Sequence, residues 1–196
     1  MVPVMGRPKQ FEPDAAVDRA MEVFCRKGYA STTPRDLVEE LGIGKGSLYN
    51  AFTSKHALFE RALRRYGENR VASLVELLER PGPVKARLRT ALERLADTAP
   101  EDPFRRGCLA VNTAAELAGV DETATAVVRS VFDRMERAFQ DAVEEGQRGG
   151  EIDAARDPRE IASLLLNTVI GMAVVAKTAQ GPDRLRRVVD AVIATL

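Results

Sequence analysis

Residues 45–55 read Lys-Gly-Ser-Leu-Tyr-Asn-Ala-Phe-Thr-Ser-Lys and gather the groups best suited to recognise another molecule. Lys45 supplies a cation for a phosphate or a guanine edge, Gly46 permits close backbone approach, Ser47 offers a hydroxyl and Tyr49 a phenol. Asn50 carries an amide that can pair bidentately with adenine in a major groove. Leu48 and Phe52, four positions apart, mark the opposite, apolar side of the same short helix. This is chemistry of recognition, not of bond-making. Gly44-Lys45-Gly46-Ser47 superficially echoes a phosphate loop, but that motif needs Ser or Thr directly after Gly-Lys and a strand before it. An enzyme would have to pair Cys108 as nucleophile with His56, the lone histidine, as base. No oxyanion motif accompanies them, so catalysis is not expected.

A second group lies further on. Cys108, Asn112 and Glu116 recur at i, i+4 and i+8, with Thr113 beside them, among apolar Leu109, Ala115 and Leu117. On a helix this is a polar stripe that could line a pocket and give a small molecule polar contacts. The same spacing also describes a solvated face. Arg105-Arg106-Gly107-Cys108 places two cations beside a thiol at a helix start, an arrangement that favours the reactive thiolate. Cys25 falls on an apolar helix face and reads as core. With two cysteines far apart and one histidine, no disulfide framework, zinc finger or cofactor site is expected.

The elements that must position these groups are helical. The chain has 196 residues, 45% hydrophobic and 30% charged, a globular composition for one domain or a small one joined to a larger. Its 29 Lys+Arg balance 29 Asp+Glu, yet residues 1–70 hold 12 of the cations against 9 acids, a modest basic end compatible with nucleic acid. No signal-peptide core is visible. The longest apolar stretch, 164–176, is broken by Asn167 and Thr168 and is too short for a bilayer, so a soluble, cytoplasmic protein is expected.

Helical periodicity runs through the whole chain. Val17, Ala20, Met21, Phe24 and Cys25 mark a first helix that stops at Gly28. Thr33-Pro34-Arg35-Asp36 has the form of a capping box with proline at the first helical position, and Gly42 ends the short helix it opens. A third helix follows over 45–52, and Ser54 caps a long fourth. Pro81-Gly82-Pro83 breaks the chain before a fifth; a sixth is expected over 104–118 and a seventh over about 122–145. Asp157-Pro158 opens an eighth, apolar nearly all round, and Gly181-Pro182 separates it from an amphipathic ninth. The eighth helix is either central to a monomer or covered by a second subunit, which Gly171 and Ala173 would let approach closely. The expectation is an all-α fold of about nine helices. Helices two and three, joined by Gly42-Ile43-Gly44, look like a helix-turn-helix whose second helix enters a major groove. A helical module whose third helix binds protein is the rival reading.

Here the chain resembles the tetracycline-repressor-like (TetR/AcrR) transcriptional regulators. The resemblance rests on Phe24-Cys25-Arg26-Lys27-Gly28-Tyr29, Thr32-Thr33, Asp36-Leu37-Val38 and above all the run from Leu41 through Lys55. It implies a helix-turn-helix over 33–52, with Thr33, Arg35, Lys45, Ser47, Tyr49, Asn50 and Lys55 meeting DNA. It also implies two domains: 1–56 for DNA, with an arm over 1–12 containing Gly6-Arg7-Pro8-Lys9, and 57–196 for ligand binding and dimerisation. The partners implied are a double-stranded operator, a small-molecule inducer and a second copy, docked through the helices near 158–178 and 183–196. Asn50 stands where many members carry Trp, His or Tyr, so operator sequence does not transfer from relatives. Arg105-Arg106-Gly107-Cys108-Leu109 is similar to the Gly-Cys segment of electrophile-sensing members, which gives the alternative of a regulator triggered through Cys108.

Overall fold

The computed structural model describes residues 12–96 and 108–196. Among the described residues there are nine helices and no strand: α1 (Pro13–Lys27), α2 (Pro34–Leu41), α3 (Lys45–Phe52), α4 (Lys55–Leu78), α5 (Val84–Ala96), α6 (Leu109–Leu117), α7 (Glu122–Arg148), α8 (Pro158–Val175) and α9 (Asp183–Ala194). The 6–9 arm and Arg105-Arg106-Gly107 lie outside the described residues.

Local chemistry sets most boundaries. Asp36 N–H donates to the Thr33 hydroxyl and the Asp36 carboxylate accepts the Thr33 N–H at 2.8 Å, the reciprocal capping box that opens α2. Ser54, Asp121 and Asp157 accept N–H groups in the first turns of α4, α7 and α8. One start differs from expectation. Cys108 is extended, with φ −77° and ψ 115°, so it precedes α6 as its N-cap rather than lying inside the helix.

Two long helices carry the architecture. The first half of α4 buries Leu58, Phe59, Ala62 and Leu63 against α1, where the Phe24 and Phe59 rings meet edge to face at 5.1 Å. Its second half packs against α7, and Gly67 allows a close contact there: a Cβ would lie 2.4 Å from Val131 Cγ2. α8 packs along α7 through Ile161, Ala162 and Leu165, all essentially fully buried, while α5 and α9 bring Leu88 and Leu92 together with Leu185 and Val189. The helix starts ahead of its apolar stretch, at Pro158, and its 18 residues have a mean hydropathy of 1.3, long and apolar enough by composition alone to cross a bilayer. Its packing along α7 makes it a core helix of this fold.

Candidate nucleic-acid interface

α2, the Gly42-Ile43-Gly44 turn and α3 form one unit whose inner side is apolar. Leu37, Leu41, Leu48 and Phe52 are buried, and α1 and α4 clamp the pair from behind. Gly42 closes α2 with φ 66°, a left-handed conformation suited to glycine. α3 leaves through an unusual turn. Thr53 has φ 64° and ψ −47°, and Ser54 N–H donates to Phe52 O, which is the geometry of a strained γ-turn. Thr53 is the one non-glycine residue with positive φ among those described, and it lies in the short link from α3 to α4.

The outer side is polar. Lys45, Gly46, Ser47 and Asn50 are exposed and Tyr49 half-exposed, and none of these side chains has a hydrogen bond or ion pair among the described residues. No acid occupies the first turn of α3, so its unpaired N–H groups and Lys45 present one sign of charge. Thr33 and Arg35 are exposed at the start of α2, but both are engaged: the Thr33 hydroxyl in the capping box, the Arg35 guanidinium with Glu39 at 2.8 Å.

Lys55 is placed differently from the expectation of a DNA contact. Its ammonium donates to Tyr29 O at 2.9 Å and Thr32 O at 3.0 Å, and lies 4.1 Å from the Tyr29 ring centroid. A cation at a helix N-terminus needs negative partners, and here the carbonyls of the α1–α2 turn provide them. Burial holds the Lys55 pKa below its ordinary value, while the Glu116 carboxylate acts in the opposite direction.

The expected stripe on α6 divides three ways. Cys108 is half-buried at the helix start; Asn112 is buried and its amide oxygen accepts from Lys177 on the segment after α8; Glu116 is exposed and its carboxylate accepts Ala30 N–H at 2.9 Å. These residues therefore do not line a common wall. An open groove of about 550 Å³ between α4 and α7, lined by Val71, Val75, Arg134 and Ala138 among others, includes none of the three. Two buried hydroxyls are more telling: that of Thr113, which the sequence places beside the stripe, and that of Tyr66, which it does not single out as a ligand contact. The Tyr66 and Thr113 hydroxyls are buried with no hydrogen-bond partner among the described residues. Burial pushes the Tyr66 phenol well above its ordinary pKa, and the neighbouring Cys108 thiol adds to the effect. Tyr66 was hidden in the apolar pattern of α4, where its ring behaves as core.

Fold and surface together define an all-helical protein, among the described residues, with a helix-turn-helix and a larger helical body packed against it. Residues 16–62 match the family described as bacterial regulatory proteins, tetR family, and residues 84–192 match the tetracyclin repressor-like C-terminal domain. The chain is 30% identical over 193 residues to the uncharacterized HTH-type transcriptional regulator YezE of Bacillus subtilis, covering 98% of this chain and 100% of that one. It is 29% identical to the HTH-type transcriptional repressor ComR of Escherichia coli, over 93% of this chain and 88% of that one. Among solved structures, a cysteine-substituted form of the TetR family regulator CifR, complexed with 26-bp double-strand operator DNA, superposes with a TM-score of 0.84 at 29% identity, covering 96% of this chain and 98% of that one. The chain belongs to the TetR family of transcriptional regulators.

Proposed function

We propose that the chain is a cytoplasmic, ligand-responsive repressor that binds a pseudo-palindromic operator as a homodimer. The observation that carries this reading is the outer side of α3, where Lys45, Gly46, Ser47, Tyr49 and Asn50 face outward without partners while Leu48 and Phe52 anchor the helix. In the major groove, Lys45 holds a phosphate or guanine, and Asn50 and Tyr49 read base edges. Thr33 and Arg35 steady the start of α2 on the backbone. CifR on its operator and the repressor ComR support the same use of this fold.

The division of labour follows the chain: 1–56 for DNA, 57–196 for ligand and partner. The second copy docks on the outer side of α8 and α9, where Leu164, Val174 and Val188 remain exposed beside Asn167 and Gly171. The inducer is a small molecule held beneath α6, with the unpaired Tyr66 and Thr113 hydroxyls as its polar contacts. It releases DNA by binding more tightly to the arrangement in which the two α3 helices are wrongly spaced. A preference of about 10⁴-fold would carry the population from 1:99 to 99:1.

A second reading has Cys108 as a thiol trigger. Its half-buried position at the start of α6, beside Tyr66, supports this, because a modified thiol there would disturb the same buried space. Mild alkylation of the native protein separates the two, and an inert Cys108 removes the thiol reading.

The DNA-binding assignment is tested by Lys45→Ala and Tyr49→Ala. Both are expected to lose operator affinity while the dimer and its helicity persist. Unchanged binding would move the interface elsewhere.

A further inference from the structure

We propose that His56, Glu60 and Asp121 form a site for a divalent transition-metal ion, with Zn2+ as its natural probe, clamping the DNA-binding end of α4 to the start of α7. His56 and Glu60 are one turn apart on α4, and the fold brings Asp121, at the start of α7, to them. His56 Nε2 lies 3.1 Å from Glu60 Oε1 and 3.5 Å from Asp121 Oδ2. All three ligand atoms fall within 4.8 Å of one another. Around zinc, with bonds of about 2.1 Å and tetrahedral angles, neighbouring donor atoms sit about 3.4 Å apart. The two distances from the imidazole bracket that value. One nitrogen and two carboxylate oxygens are a mixed donor set suited to such an ion, and two carboxylates neutralise its charge. Three protein ligands leave the fourth position to water.

The supports of the site also fit. Asp121 uses Oδ1 to accept Ala124 N–H at 2.9 Å as the cap of α7, which leaves Oδ2 turned toward His56. The His56 ring stands edge-on to Tyr29, with centroids 5.8 Å apart at 81°, and is tilted against Phe59. Glu60 reaches the imidazole from one turn along the same helix. His56 and Asp121 are thus oriented by contacts outside the site, the arrangement that tunes metal affinity. All three are partly exposed, so an ion has a path in.

The clamp would act where the fold needs rigidity. His56 is in the first turn of α4, directly after the Thr53 turn that carries α3, and Asp121 opens the longest helix of the larger body. An ion there fixes α3 against the ligand-sensing half.

The test is calorimetric titration of Zn2+ into the full chain, first stripped with a chelator. It is run on the wild type, on Cys25→Ser/Cys108→Ser to remove thiol ligands, and on that double variant carrying His56→Gln or Glu60→Gln. Wild type and the double-cysteine variant are expected to take one Zn2+ per chain. His56→Gln should weaken binding by at least about 100-fold, beyond the 10–100-fold typical of losing an outer supporting group. Glu60→Gln, which leaves the ring contacts of His56 in place, checks the outcome independently of any folding defect. Zn2+ should also raise the thermal midpoint of the double-cysteine variant but not of its His56→Gln derivative. The proposal is overturned if the wild type takes no zinc, in which case the cluster is only a set of side-chain contacts. It is equally overturned if zinc is lost with the cysteines or retained at full affinity in His56→Gln.

Discussion

The carboxylate of Glu116 on α6 accepts the main-chain N–H of Ala30 at 2.9 Å, joining the larger helical body directly to the turn that carries α2. The same carboxylate closes over Gly28, where an added Cβ would lie 2.1 Å from Oε1. Gly28 itself has φ 76° and ψ 176°, a conformation open essentially to glycine alone. The end of α1 is therefore shaped by two requirements at once, backbone freedom and room for a carboxylate.

Gly28→Ala is expected to destabilise the fold by about 2 kcal/mol or more from backbone strain, with a further loss from displacing Glu116. Adding Glu116→Ala should recover the second part and not the first. Urea unfolding of the two single variants and the double variant measures this as a coupling energy. Strict additivity would mean that the two residues do not meet in solution.

Lys55 should matter for folding more than for DNA. Lys55→Met keeps the stem but leaves the Tyr29 and Thr32 carbonyls without their donor, which should cost about 1–3 kcal/mol of stability. Operator affinity of the folded variant should fall much less than in Lys45→Ala. A large affinity loss with undiminished stability would return Lys55 to the DNA surface.

Acid should unfold the protein partly through two caps. Asp36 is held far below the ordinary carboxylate range, first by the Lys27 ammonium at 2.6 Å and then by the Thr33 N–H and hydroxyl. Glu151 is lowered by accepting the Val84 and then the Lys85 N–H groups at the start of α5. A carboxylate whose folded pKa lies below its unfolded one stabilises above the unfolded value and loses that contribution as pH falls toward the folded one. Thermal stability should therefore drop as pH descends from about 5. Asp36→Asn and Glu151→Gln should each flatten that limb in a melting series, and an unaltered slope would exclude these groups as its source.

The α8–α9 face gives a prediction about assembly. Leu164 is 41%, Val174 49% and Val188 38% exposed on a fold that buries most of its large apolar side chains. Leu164→Asp and Val174→Asp are expected to convert a dimer to monomer in light scattering, with helicity retained. A wild-type protein that is already monomeric at the concentrations where it binds DNA would contradict this part of the account.

Short-range chemistry is legible in the sequence. Thr33-Pro34-Arg35-Asp36 opens α2 and Gly42 closes it because capping and left-handed backbone depend on residues a few positions apart. The apolar and polar sides of α3 were readable for the same reason. The contacts that tie the halves together were not. Lys55 carried half of a signal, a cation at the wrong end of a helix, but main-chain carbonyls as its partners leave no trace in sequence. Asn112 with Lys177, Glu116 with Ala30 and His56 with Asp121 all depend on helix packing angles that periodicity does not encode. The α6 stripe shows the same limit: its spacing is visible in sequence, but not that its three residues face three different neighbours.

The central claim, that α3 reads an operator as one half of a symmetric pair, is tested most directly by selecting bound duplexes from a random DNA pool and measuring the affinity of the winner across a salt series. The account predicts an inverted repeat whose half-site centres lie about 10 bp or a multiple of that apart, with affinity falling steeply as salt rises. Sequence-indifferent binding, persisting after the protein has been unfolded, dialysed free of any inducer and refolded, would contradict it.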